Sequence, residues 1–224
     1  LLMNSNVIIL IVRRHAGELD LILPLLYKFK NKYKIITIFS DTLSFASLKK
    51  NVDIFKIWKE ICKNYFIIRK YHSFFWKILH KLSIKIDSSL GLNLKPIVDG
   101  KKILDKTFDL DMFLKKFKLE ISDIKCIFVT NIHLTYLPYI FKKRNKKILL
   151  VRFPETTFVI PTTKENPYLQ TYKIYNNVKG DLFLFQSLGS KELFLGKKNN
   201  EKRDIQYCGY FRYEKWWINK LIQK

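Results

Sequence analysis

With 48% hydrophobic and 15% aromatic residues, a chain of 224 residues can bury a sizeable core, which excludes a globally disordered protein. It has no run of about 18 uncharged apolar residues, which argues against a membrane-spanning helix. The formal net charge of +23 rests on 42 basic residues of which only seven are arginine, so it reads as lysine spread over solvent faces and not as the arginine-rich cluster of a nucleic-acid binder. Attraction to an anionic membrane surface or to a phosphorylated substrate stays open.

The opening residues, Leu1 to Ser5, place no basic segment ahead of a strand-length apolar run, so neither a signal peptide nor a spanning segment is expected. The run Asn6 to Val12 is continuous and rich in β-branched residues, the pattern of a strand buried on both faces. Arg13-Arg14-His15-Ala16-Gly17 breaks it, and Glu18 and Asp20 then supply acids to the first turn of a helix. Leu19, Ile22, Leu23, Leu26 and Phe29 form its apolar stripe, with Pro24 either kinking the helix or marking its true first turn. Lys34 to Ser40 is a second strand, and a strand–helix–strand unit of this kind normally makes two parallel neighbours.

The stretch from Ile54 to Ile86 reads as mostly helical, with Trp58, Ile61, Tyr65 and Ile68 among its apolar positions. Ser88 to Gly100 reads as a loop and Asp109 to Phe117 as a helix. Alternation then resumes: a strand over Cys126 to Thr130, a helix over Leu134 to Lys143, and a strand over Lys147 to Phe153 stopped by Pro154. A strand over Asp181 to Gln186, a short helix over Ser190 to Leu195 and a strand over Asp204 to Gly209 complete the series. Five or six short strands interleaved with helices predict an α/β fold, a Rossmann-like doubly wound parallel sheet with helices on both faces. Cys62, Cys126 and Cys208 lack metal-ligand or redox spacing and cannot all pair, so buried free thiols in a reducing cytoplasm are expected.

Ligands of open α/β sheets bind beyond the carboxyl ends of the strands, which directs attention to three segments that follow strands. In the first, His15 is placed to take a proton from a hydroxyl nucleophile, with Glu18 or Asp20 holding its tautomer and Arg13 and Arg14 binding a phosphate or sugar acid. The competing account is a solvated turn, with Gly17 serving the turn and the acids serving as caps. The glycine pattern of a dinucleotide site is missing. In the second segment, Asn131 and His133 would face the same edge as His15 if the sheet is parallel, or His133 only caps or packs the next helix. In the third, Glu155 suits a base or a sugar-hydroxyl partner, and equally a helix cap. No paired-carboxylate motif suggests a metal. His72 and His80 lie in an aromatic, lysine-bearing stretch and read as structural. The tail from Ile205 to Trp217 ends in a paired tryptophan that needs a surface to pack on, which suggests a further domain after about residue 208.

Taken in order, these pieces resemble the amino-terminal domain of a GT-B type glycosyltransferase. His15-Ala16-Gly17-Glu18 after the first strand is similar to that fold's substrate-facing loop, where many members keep a catalytic histidine or acid. Asp181 to Ser187, with Glu192-Leu193-Phe194 following, resembles the segment before the interdomain crossing. Ile205 to Arg212 is similar to the strand ending in Gly-Tyr-Pro-Arg that leads into the donor-binding domain, with Phe211 in place of the proline. The resemblance leans toward bacterial surface-polysaccharide enzymes, including glycerophosphate and sialic-acid polymer transferases, and touches the non-hydrolysing UDP-sugar 2-epimerases. It implies residues 1–208 as an acceptor-side domain and 209–224 as a linker into a donor-binding domain. It further implies His15 and Glu18 as catalytic groups. Arg13, Arg14, Gly17, Asn131, His133, Glu155 and Arg212 would be substrate contacts, with a nucleotide sugar as co-substrate and no metal or other cofactor. The acceptor would be a polysaccharide or glycolipid, and the setting the cytoplasm or the inner membrane face. Alone, this half would position an acceptor and not complete the transfer. A basic, non-catalytic domain bound to membrane or polysaccharide is the alternative outside enzymes.

Overall fold

The computed structural model describes residues 6–12, 16–40, 42–68, 108–130, 137–153, 179–195 and 204–222. Seven strands, β1 (Val7–Val12), β2 (Lys34–Phe39), β3 (Asn64–Ile67), β4 (Ile124–Thr130), β5 (Leu149–Phe153), β6 (Leu182–Phe185) and β7 (Asp204–Tyr207), form one sheet in the order β3-β2-β1-β4-β5-β6-β7. Every neighbouring pair is parallel. The α/β, doubly wound architecture read from the sequence is the one observed.

Strand β1 runs through the middle, and all six of its residues are buried. Alternate side chains serve opposite layers: Ile8, Leu10 and Val12 enter one core cluster, while Val7, Ile9 and Ile11 enter the other. That division is why the strand reads as an unbroken apolar run. Helix α1 (Ala16–Phe29) covers the first layer with Leu19, Ile22, Leu23 and Leu26. Pro24 sits inside α1 and not at its start. Its missing N–H leaves the Asp20 carbonyl without its usual helical partner, and packing of the apolar stripe carries the helix past it.

Helices α2 (Thr42–Lys50) and α3 (Val52–Ile61) join the same layer through Leu48, Ile54, Ile57, Trp58 and Ile61. The opposite layer is made by α4 (Leu110–Phe117) and α5 (Leu137–Arg144), whose Phe113 and Phe141 lie 5.7 Å apart, edge to face. Asn51 caps α3 and Asp109 caps α4, each accepting from the backbone three residues on. Helix α6 (Leu188–Leu195) links β6 to β7, and α7 (Lys215–Ile222) follows a 3-10 turn at Phe211–Tyr213. Among the described residues no helix is long and apolar enough to cross a membrane.

Two expectations are corrected. The stretch from Ile54 to Ile86 reads as mostly helical, with Tyr65 and Ile68 among its helical positions, yet α3 stops at Ile61 and Asn64–Ile67 is the edge strand β3. Trp58, Ile61, Tyr65 and Ile68 happen to match helical spacing, but Cys62 turns extended, and the open edge of β2 accepts Asn64 to Ile67 in parallel register. The rest of that stretch, 69–107, lies outside the described residues, as do His72 and His80. The second correction concerns the tail. Trp217 is fully buried in the α1 layer, and Trp216 packs beside it, their rings 6.3 and 5.9 Å from Tyr27. The surface these tryptophans need is therefore provided by α1 itself.

Local chemistry also explains a polar residue within the first layer. Thr37 shares its face of β2 with Ile35 and Phe39, and its hydroxyl accepts from the Trp58 indole at 2.9 Å and lies 3.0 Å from the Cys62 thiol. Thr37→Val keeps the shape but leaves the indole N–H without an acceptor. It is expected to cost about 1–3 kcal/mol in urea unfolding, and Thr37→Ser, which keeps the hydroxyl acceptor, is expected to recover most of that loss. Equal midpoints for Val and wild type would remove Thr37 from the stability account.

Candidate functional site

The strand order reverses at β1, which has β2 on one side and β4 on the other. In open α/β sheets ligands bind beyond the carboxyl ends of the strands at this reversal. Val12 pairs with Phe39 and Ile11 with Val129, while Thr130, the last residue of β4, pairs with Phe153, the last of β5. The three strands from which the segments of His15, of Asn131 and His133, and of Glu155 continue thus end together at one edge. Arg13, Arg14, His15, Asn131, His133 and Glu155 themselves lie outside the described residues, and Glu18 belongs to α1 without a described side chain.

Two of the sequence candidates are placed. Gly17 is exposed at the start of α1. Arg212 arrives at the same helix from the other end of the chain: its Nη2 lies 3.1 Å from Asp20 Oδ2, and its guanidinium lies 5.3 Å from the Tyr213 ring centre. Gly209 makes this return possible, with φ of +63° just after β7, a backbone region that side-chain-bearing residues avoid. Asp20, one of two acids considered as the partner of His15, is therefore engaged with Arg212.

The buried polar side chains mark the same edge. Among the described residues they are Thr37, Ser40, Ser44, Thr130, Arg152 and Gln186; Ser40, Thr130, Arg152 and Gln186 lie at or next to the carboxyl end of a strand, and Ser44 lies in the first turn of α2, which follows β2. Burial of polar groups is costly unless they are bonded, so their concentration at one edge distinguishes it from the apolar middle of the sheet. Arg152 is the largest of them and is fully buried. Its Nη1 donates to the Thr130 carbonyl at 3.1 Å, its Nε to the Lys179 carbonyl at 3.0 Å, and its Nη2 to the Tyr139 hydroxyl at 3.2 Å. One rigid guanidinium thus ties the end of β4, helix α5 and the approach to β6. Gly180 lies against it so closely that a β-carbon there would stand 2.8 Å from Arg152 Cγ. The Thr130 hydroxyl is buried and has no hydrogen-bond partner among the described residues.

Among the sequence candidates this segment is represented by Glu155 and not by Arg152. The available signal was a charged residue inside an otherwise apolar strand, Leu149 to Phe153. Farther along the edge, Ser187 begins α6 by accepting from the Ser190 N–H at 3.2 Å. Among the described residues, no group of three or more His, Cys, Asp or Glu side chains is arranged to hold a metal ion. Burial pushes the thiols of Cys62 and Cys208 up to about 11 and that of Cys126 to about 12, the last also raised by the nearby Asp181 charge. Near neutral pH all three are protonated and poor nucleophiles.

No family model, curated protein or solved structure matches the chain.

Proposed function

We propose that the chain is the acceptor-side half of a GT-B type glycosyltransferase, moving a sugar or sugar-phosphate from a nucleotide-activated donor to a surface-polysaccharide or glycolipid acceptor. One observation carries the reading: β1 and β4 end side by side where the strand order reverses, and the segments that continue from them hold His15 and Asn131-His133. In this proposal His15 removes the acceptor hydroxyl proton, and Glu18 orients the imidazole. Arg13, Arg14, Asn131, His133 and Glu155 contact the acceptor, while Gly17 lets it approach the start of α1. Arg212 acts by holding Asp20. The donor, a nucleotide sugar, is bound by a carboxyl-terminal domain; no metal or other cofactor is invoked.

The test is His15→Ala in the complete protein. Loss of a general base is expected to lower turnover by about 10²–10⁴-fold with the far-UV circular dichroism unchanged. Undiminished turnover would remove His15 from the mechanism. Incubation with UDP-N-acetylglucosamine and no acceptor is expected to leave the sugar unaltered; its interconversion would assign a 2-epimerase instead.

A further inference from the structure

The opposite, amino-terminal edge of the sheet carries a separate property. Because all seven strands are parallel, every strand begins at this edge, and the helix ends and turns that feed the strands gather beside it. The passage from α1 into β2 brings Lys28, Lys30, Lys32 and Lys34 without an acid. The passage from α5 into β5 brings Lys142, Lys143, Arg144, Lys146 and Lys147, again without an acid. Lys63 stands just before β3, and Lys125 is the second residue of β4. Neighbouring strands are about 4.8 Å apart, so positive charge extends roughly 20 Å from β3 across β2, β1 and β4 to β5.

Compensation by acids on this edge is small. Glu60 is held by Lys30 at 2.6 Å and Lys220 at 3.4 Å, and Asp181 by Lys142. Before β4, Asp123 accepts from the Glu120 backbone N–H and the exposed Glu120 carboxylate accepts from the Ser122 hydroxyl, two acids set beside Lys118 and Lys125. Basic residues in a last helical turn complement the helix dipole, which explains one or two per helix but not the acid-free clusters that continue beyond the helix ends. Two further features suit a phospholipid surface. A cleft of about 300 Å³ opens where β2 and β3 begin, lined by Lys30, Asn31, Lys34, Glu60, Lys63 and Asn64. Leu149, 42% exposed, stands two residues after Lys147 as an apolar contact among ammonium groups.

We propose that this edge, from Lys63 to Lys147, docks the protein on an anionic phospholipid bilayer, with the cleft between β2 and β3 seating a headgroup phosphate. Lysine favours lipid over nucleic acid here. Its compact ammonium serves a fluid array of phosphates, whereas nucleic-acid readout leans on arginine, and the one arginine of these clusters, Arg144, is paired with Asp111 at 3.0 Å. The carboxyl edge then stands about 20 Å from the lipid, one strand length away. The proposal does not depend on the transferase reading, because it concerns binding without turnover.

Co-sedimentation of the wild-type protein is expected with vesicles containing phosphatidylglycerol, not with phosphatidylcholine alone, and is expected to vanish at about 1 M salt. The triple variant K143Q/K146Q/K147Q should weaken partitioning by about 100-fold, at roughly fivefold per charge. K32Q/K63Q, at the other end of the row, should weaken it by about 25-fold on the same basis. K50Q/K56Q/K215Q removes the same charge from α2, α3 and α7 and should change partitioning far less. Equal loss in this control, or no preference for phosphatidylglycerol, would overturn the proposal. So would capture of a single-stranded oligonucleotide by a protein that ignores vesicles.

Discussion

Trp217→Ala is expected to lower the unfolding free energy by about 3–5 kcal/mol, the range for deleting a large buried aromatic. Trp217 is fully buried among residues of α1, and it anchors a terminal helix otherwise half exposed, with Ile218 and Ile222 open to solvent. Its loss should therefore detach residues 211–222 before the sheet unfolds, seen as rapid amide exchange in α7 and early cleavage there by trypsin. Trp217→Phe separates burial from hydrogen bonding. The indole N–H of Trp217 is buried without a partner among the described residues, so phenylalanine loses volume but also removes a donor unsatisfied there. A cost of about 1.5 kcal/mol or less is expected for Phe. If Ala and Phe proved equally mild, the tail would not be a fixed part of this domain.

Arg152→Met is expected to cost about 2–5 kcal/mol, because the buried Thr130 carbonyl and the partly buried Lys179 carbonyl each lose a donor. Arg152→Lys should not restore the loss. A single ammonium cannot reproduce the planar fork that reaches two carbonyls and the Tyr139 hydroxyl together. Gly180→Ala offers an independent check, since its β-carbon would press on Arg152 Cγ and must displace the guanidinium or the chain. Denaturant midpoints measure all three. Wild-type stability in Arg152→Met would show that the end of β4 needs no such tie, and with it that Arg152 has no part in placing the segment from Asn131 onward.

Several elements were plain in the sequence because local pattern and tertiary burial agree. The β-branched run at β1 is a strand buried on both faces, α1 carries its apolar stripe at helical spacing, and Asp109 caps α4. Where several local signals fit one segment, the sequence misled. Trp58 to Ile68 matches a helical period, and only the vacant edge of β2 turns Asn64–Ile67 into β3. The candidate loops were located through strand ends, a matter of chain order, and His15 and Glu155 lie outside the described residues.

The sequence by itself determined the α/β class, since alternating apolar runs of two periods admit few other folds. It also determined that polar segments interrupt the chain after Val12, Thr130 and Phe153. Only the tertiary structure decided which of these ends are neighbours, because hydrogen-bonded strand order joins residues over a hundred positions apart. The same holds for Arg212 beside Asp20, Trp217 beneath α1 and Arg152 across three elements. Lysines that look evenly scattered along the chain become one charged edge for the same reason: parallel strands all begin on one side.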